Sequence, residues 1–220
     1  MADAPVMMLC VATRNTGKVD EIRAALEGLR VELVTVASIL GDAPPIAETG
    51  ATFQENAALK ARAVAAATHL VSLADDSGLE VDALEGRPGV RSARFARDGA
   101  TDAENNAALL SALAGIDARK ARFRCVMALV DPFGEESPVL TEGACEGSIG
   151  REGRGSNGFG YDPLFVVDGQ GRTFAELTQA EKLTNSHRGK ALQAMRREIE
   201  QLVSSRLREA EQILIKPGER

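Results

Sequence analysis

The chain of 220 residues has little of what marks several common protein classes. It has three cysteines, Cys10, Cys125 and Cys145, an odd number set in apolar, strand-like runs without metal-ligand spacing. They point away from a disulfide framework or a zinc site and toward reduced core thiols in a cytoplasmic protein. It has no surplus of positive charge: 26 Lys and Arg face 32 Asp and Glu, a net charge of −6, so a broad nucleic-acid-binding surface is not expected. No hydrophobic run is long. The stretch 6–12 is too short to span a membrane, and Asp3 precedes it without any Lys or Arg, so it reads as a first strand and not as a signal peptide. There are two histidines, His69 and His187, and neither an internal repeat nor a long linker.

What the chain does contain is alternation. Apolar strand-like runs at 6–13, 31–36, 71–75, 79–83, 122–130, 138–146 and 164–167 are separated by helical patterns, which predicts an α/β chain with a mixed sheet. Helix starts are marked by Thr-x-x-Glu capping boxes at Thr52 with Glu55, Thr101 with Glu104, and Thr178 with Glu181. A last helix is expected over about 186–214, with Leu192, Met195, Ile199, Leu202 and Leu207 as its apolar stripe. The length suffices for one large domain or two closely joined lobes, and the Gly-rich stretch 147–160 marks where two lobes would meet.

Two phosphate-binding signatures are imitated but not met. Gly153, Gly155 and Gly158 fit GxGxxG, yet GFGYDPLF follows, and its Pro163 and aromatic residues do not open the helix that a dinucleotide fold requires. Gly17-Lys18 lies near the position of a Walker A lysine, but Ala12 stands where that motif has glycine and Val19 where it has Ser or Thr. The segment Thr13-Arg14-Asn15-Thr16-Gly17-Lys18 nevertheless joins a strand to a helix. Backbone N–H groups and the positive helix end there suit an anion, with Asn15 as a neutral donor and Lys18 as a mobile charge; a plain turn with a solvated lysine is the alternative.

The segment SLADDSGLEVDAL, 72–84, carries the strongest chemical signal. An apolar strand that ends in Asp75-Asp76 places charge where it is costly, which suggests a metal or a reaction. Ligands gather beyond the carboxyl ends of strands in open α/β sheets. Side chains alternate along a strand, so one aspartate of the pair projects into a cleft, and Gly78 is expected to turn the backbone.

TRNTGK at 13–18, ETGATFQENAALKA at 48–61, LADDSGLEVDAL at 73–84, GFGYDPLF at 158–165 and SHRGKAL at 186–192 resemble, in order, the blocks of the inosine triphosphate pyrophosphatase family. The resemblance implies a long mixed central sheet with two α/β lobes flanking an active-site cleft, as one domain over 1–205; the stretch 206–220 extends past it and reads from its own sequence as a helix end and frayed tail. It further implies a cytoplasmic homodimer, without nucleic acid or membrane as partner, that hydrolyses ITP, dITP and XTP to the monophosphate and pyrophosphate with Mg²⁺, for which Mn²⁺ could substitute. Asp76 is then the catalytic carboxylate and a metal ligand, Glu48 its partner at the metal, and Asp75 a supporting residue. The segment 13–18 receives phosphate. Lys60 shares a helix face with Asn56 one turn earlier, and that face would meet the phosphates. Ser77 contacts substrate, and Phe159, Gly160, Tyr161 and Asp162, with Lys182, His187 and Arg188, form the base end.

The reaction makes sense of these residue types. Water must attack phosphorus while pyrophosphate leaves, which calls for a divalent cation, a carboxylate on the water and cations on the polyphosphate. Hypoxanthine and xanthine present an acceptor oxygen at C6 where adenine presents a donor, so donors such as Arg188 would select the former. Two rivals are a non-catalytic nucleotide binder, which should lack the pair Glu48 and Asp76, and an enzyme for modified pyrimidine or methylated nucleotides. Arg14 stands where many relatives have a small residue.

Overall fold

The computed structural model describes residues 6–41, 46–134 and 137–215. A six-stranded sheet runs through it, with strands β1 (Met7–Val11), β2 (Val31–Thr35), β3 (Val71–Val81), β4 (Lys120–Val130), β5 (Val139–Ile149) and β6 (Phe165–Val167) in the order β2-β1-β3-β4-β5-β6. β1 is parallel to β2 and β3, and each later pair is antiparallel. The connections explain the change. Helix α1 (Thr16–Ala25) carries the chain from β1 to β2, and α2 (Val36–Leu40) with α3 (Phe53–Thr68) carries it from β2 past β1 to β3, as parallel strands of one sheet require. β4 and β5 are direct antiparallel neighbours.

Period-two alternation distributes the core over both sheet faces. Leu9, Val11, Leu73, Cys125 and Met127 face Ile22 of α1 and Leu192, Met195 and Ile199 of α6 (His187–Ile215). Cys10, Ala74, Val126 and Ala128 face Phe53, Ala57, Ala61 and Val64 of α3. A third cluster surrounds the far half of β3, where Leu79, Val81, Phe123, Ile149, Phe165 and Phe174 meet Leu109 and Leu113 from α4 (Asp102–Ala112) and its C-terminal end. The middle of β3, Asp75 to Gly78, therefore lies between cores.

The three expected capping boxes form reciprocally at α3, α4 and α5 (Gln179–Asn185). Two more, Thr35 with Ser38 and Thr173 with Glu176, start α2 and a single 3-10 turn. Residues 216–220 of the expected tail lie outside the described residues, and α6 continues through 206–215 as helix.

One expectation is corrected. The runs 71–75 and 79–83 are a single strand, because β3 pairs with β4 without a break: Asp75 opposite Met127, Asp76 opposite Val126, Ser77 opposite Cys125 and Gly78 opposite Arg124. Gly78 makes no turn. It permits close approach, since a Cβ there would lie 2.4 Å from the Gly89 carbonyl oxygen and 2.5 Å from Ser92 Oγ, both in the 3-10 segment Gly89–Arg94. Ser92 Oγ in turn accepts from Leu79 N at 2.9 Å. Gly78→Ala is thus expected to cost about 1–3 kcal/mol in urea unfolding. Unchanged stability would mean that the 3-10 segment can move off the strand.

Candidate active site

The pleat of β3 sends its two aspartates to opposite faces. Asp76 points to α3, whose apolar stripe holds it on the sheet while Asn56 and Lys60, one turn apart, form a buried polar edge beside that stripe. Lys60 Nζ lies 2.8 Å from Asp76 Oδ1 and 2.7 Å from Glu48 Oε1. Asn56 Nδ2 donates to Asp76 Oδ2 at 3.3 Å, and Asn56 Oδ1 accepts from Gly50 N at 2.8 Å, which ties the Glu48 loop to α3. Arg94 Nη1 adds a second cation to Glu48, at 3.2 Å from Oε2.

One ammonium shared by two carboxylates leaves them unequal. Burial pushes both up, but Lys60 and Arg94 together hold Glu48 below its usual range. Asp76, with Lys60 as its one direct cationic partner, has its carboxyl raised by burial and by the neighbouring Glu48. Lys60 itself is held charged: burial opposes the ammonium, but Asp76, Asp75 and Glu48 outweigh it.

Asp75 points to the other face, toward α1 and α6. Lys18 Nζ is 2.8 Å from Asp75 Oδ2 and Arg188 Nε is 3.3 Å from it, while Ser77 Oγ donates to the same oxygen at 3.2 Å. Arg188 also reaches Ser77 Oγ at 2.9 Å and Glu21 Oε2 at 2.6 Å. Burial raises Asp75, yet Lys18 and Arg188 beside it drive the carboxyl far below the usual range, so it stays ionised. The first turn of α6 can lie this close to the sheet because β5 has Gly143, where a Cβ would stand 2.1 Å from the His187 carbonyl oxygen.

The chain of ionic contacts continues into the loop 158–162. Lys182 Nζ bonds Asp162 Oδ2 at 2.6 Å, and Asp162 accepts from Phe159 N at 3.1 Å, which turns the Phe159 ring toward α1. A Cβ at Gly17 would touch that ring at 3.1 Å, and Lys182 and Arg188 each lie 5.5 Å from its centroid. Tyr161 is buried, and its hydroxyl donates to the Ser92 carbonyl oxygen at 2.9 Å.

Two cavities meet here. One, of about 160 Å³, is bounded by Phe159, Gly160, Tyr161, Asp162, Lys182, His187, Arg188 and Ser77. The other, of about 380 Å³, is bounded by Thr13, Arg14, Glu48, Lys60 and Asp75; Asp76 does not line it and is joined to it through Lys60. Both are lined by Asn15 and Lys18, so the loop after β1 separates an aromatic pocket from a carboxylate pocket. Asn15 caps α1 by accepting from Lys18 N at 3.2 Å, and the first turn, which includes Thr16 and Gly17, carries no acid. Arg14 lies within 3.5 Å of the Gly41 carbonyl oxygen.

His187 stacks on Phe123 at 4.7 Å and 10°. Burial, with Arg188 and Lys182 adding to it, pushes the imidazole well below its usual value. An unfolded chain then takes up this proton first, so the contribution of neutral His187 to stability is present above about pH 6.5 and is lost as pH falls toward the folded-state value. Wild-type protein should lose more stability between about pH 7.5 and 5.5 than His187→Gln; equal losses would show that imidazolium is accommodated.

The structure brings the expected residues together with three changes of partner. Lys60 bridges the two carboxylates in place of an open phosphate-facing position. Lys18 pairs with Asp75, and the guanidinium of Arg188 is committed to Asp75, Glu21 and Ser77. Two members were missed. Glu21 follows Lys18 by three residues on α1, a spacing that could have placed it on the same face; Arg94 gave no signal.

Comparison with known proteins shows the family of the chain. Residues 9–198 match the Ham1 family. The dITP/XTP pyrophosphatase of Syntrophobacter fumaroxidans is 51% identical over 197 residues, which cover 89% of this chain and 83% of the relative. That of Frankia alni is 49% identical over 208 residues, covering 90% and 100%. A solved HAM1 protein from Coxiella burnetii aligns with a TM-score of 0.81 at 43% identity, over 88% of this chain and 98% of that one. The sequence match across both cavities and the shared fold show that the chain belongs to the Ham1 family.

Proposed function

We propose that the protein hydrolyses the non-canonical purine nucleoside triphosphates ITP, dITP and XTP to the monophosphate and pyrophosphate. The observation that carries this reading is the juxtaposition of an aromatic, purine-sized pocket with a pair of lysine-bridged carboxylates across one anion-suited loop. The name dITP/XTP pyrophosphatase of the relatives supports it.

The donor set fits Mg²⁺. Among the described residues no cluster of three or more His, Cys, Asp or Glu is placed to hold a metal, so a cage made by protein alone is not on offer. Two carboxylates, Glu48 and Asp76, suit an ion that keeps several waters and takes phosphate oxygens as further ligands, and Mn²⁺ could replace it. When bound, Mg²⁺ would neutralise phosphate charge and polarise the phosphorus under attack.

The residues of the chain supply the rest. Asp76, raised above an ordinary aspartate and fixed by Lys60 and Asn56, orients the attacking water and takes its proton. Segment 13–18 and Lys18 hold the polyphosphate at the start of α1. Phe159 offers its ring to the purine, and the Lys182 ammonium and His187 edge the same pocket. Donors there pair with a C6 oxygen, whereas the adenine amino group would leave them unpaired at about 1–3 kcal/mol each.

A homodimer and a cytoplasmic setting belong to the same proposal. Phe133, Val139 and Leu140 are exposed apolar side chains at the β4–β5 connection that association would cover. No helix among the described residues is long and apolar enough to cross a membrane.

The test is a panel of nucleoside triphosphates with Mg²⁺ in which pyrophosphate and phosphate are scored separately. ITP and XTP should give monophosphate and pyrophosphate in one step, with ATP a poor substrate. Release of phosphate through IDP would overturn the reading.

A further inference from the structure

The purine pocket has a wall that neither the capping pattern nor the family blocks single out. Helix α4 starts at Asp102 because Thr101 caps it, and this places Asn106 one turn later on the same face. The two side chains grip the backbone of one residue of the base-end loop, one at the peptide before it and one at the peptide after it. Gly160 N donates to Asp102 Oδ2 at 2.7 Å, and Asn106 Nδ2 donates to the Gly160 carbonyl oxygen at 2.9 Å. Gly160 has φ +62°, a conformation that glycine adopts freely. On one side of this residue is Phe159, and on the other is Tyr161, anchored to Ser92.

We propose that Asp102 and Asn106 are positioning residues for base recognition: by clamping both the N–H and the carbonyl of Gly160, they fix the Phe159 ring as a preformed purine platform. The proposal rests on the functional reading above, but its structural half does not depend on substrate. A preformed platform spares the loop its ordering cost on binding, so loss of the clamp acts on affinity and not on the chemical step.

The chain contains its own reporter. It has no tryptophan and one tyrosine, Tyr161, so intrinsic fluorescence reads this loop directly. In the double variant Asp102→Ala with Asn106→Ala, acrylamide should quench Tyr161 more strongly than in the wild-type protein, without nucleotide present. KM for ITP should rise roughly tenfold while kcat changes little, as expected for lost ground-state binding. Asp102→Asn, which keeps an acceptor oxygen, should restore both values toward wild type. Asp102 is exposed, so neither substitution there removes core packing. Unchanged quenching, or a fall in kcat at constant KM, overturns the proposal. Failure of the functional reading would show itself differently, as absence of ITP turnover by the wild-type protein, and quenching would still decide the clamp.

Discussion

Asp76→Asn should lower kcat at least ~10²-fold while the protein stays folded, because an amide cannot take a proton from water. The local contacts explain why the fold should survive. Asp76 accepts from Lys60 through one oxygen and from Asn56 through the other, and asparagine keeps one of these while opposing donor to donor at the second. That costs about 1 kcal/mol. Removal of a carboxylate that burial already disfavours in its charged form offsets part of it. Steady-state kinetics and urea unfolding on the same variant separate the two effects, and wild-type kcat would assign the base to another carboxylate. Glu48→Gln should behave differently, raising the Mg²⁺ concentration needed for activity; an unchanged requirement would remove Glu48 from the metal site.

The second large effect is expected on stability. Arg188 is 3% exposed and neutralises Asp75 and Glu21 at once. Truncation to alanine leaves the Asp75 carboxylate with Lys18 as its one remaining close cation, and leaves Glu21 with a Lys182 ammonium 3.7 Å away that is already bonded to Asp162. Loss of one partner from a buried ionic network costs about 3–5 kcal/mol. Arg188→Ala should show a loss of this size in urea unfolding, and adding Glu21→Gln should recover part of it by removing a stranded charge. A loss below about 1 kcal/mol, the scale of exposed pairs, would mean that the network is solvated in solution. Because the guanidinium also lies over Phe159, Arg188→Ala should weaken the preference for ITP over ATP as well.

Local rules carried much of the fold. The Thr-x-x-Glu boxes found α3, α4 and α5 because capping is settled within four residues. Alternation on β3 foretold that Asp75 and Asp76 part to opposite faces, as they do. The continuity of β3 escaped because adjacent carboxylates look like a strand end until their partners are known: Lys60 comes from α3, Lys18 from α1 and Arg188 from α6. The bridging position of Lys60 between Glu48 and Asp76 was hidden for the same reason, as was the Glu21–Arg188 pair, separated by 167 residues. No periodicity reports contacts of that range. Many of the residues that meet around the two cavities lie in the sequence blocks, but Glu21 and Arg94 do not, and which residues hold one another was not legible.

The central claim is that Asp76 directs water to the α-phosphorus while the β- and γ-phosphates leave together. Hydrolysis of ITP in isotopically labelled water tests it most directly, with mass spectrometry of both products. The expected result is heavy oxygen in the monophosphate and none in the pyrophosphate. Label in the pyrophosphate would place the attack on the β-phosphorus and contradict the assignment.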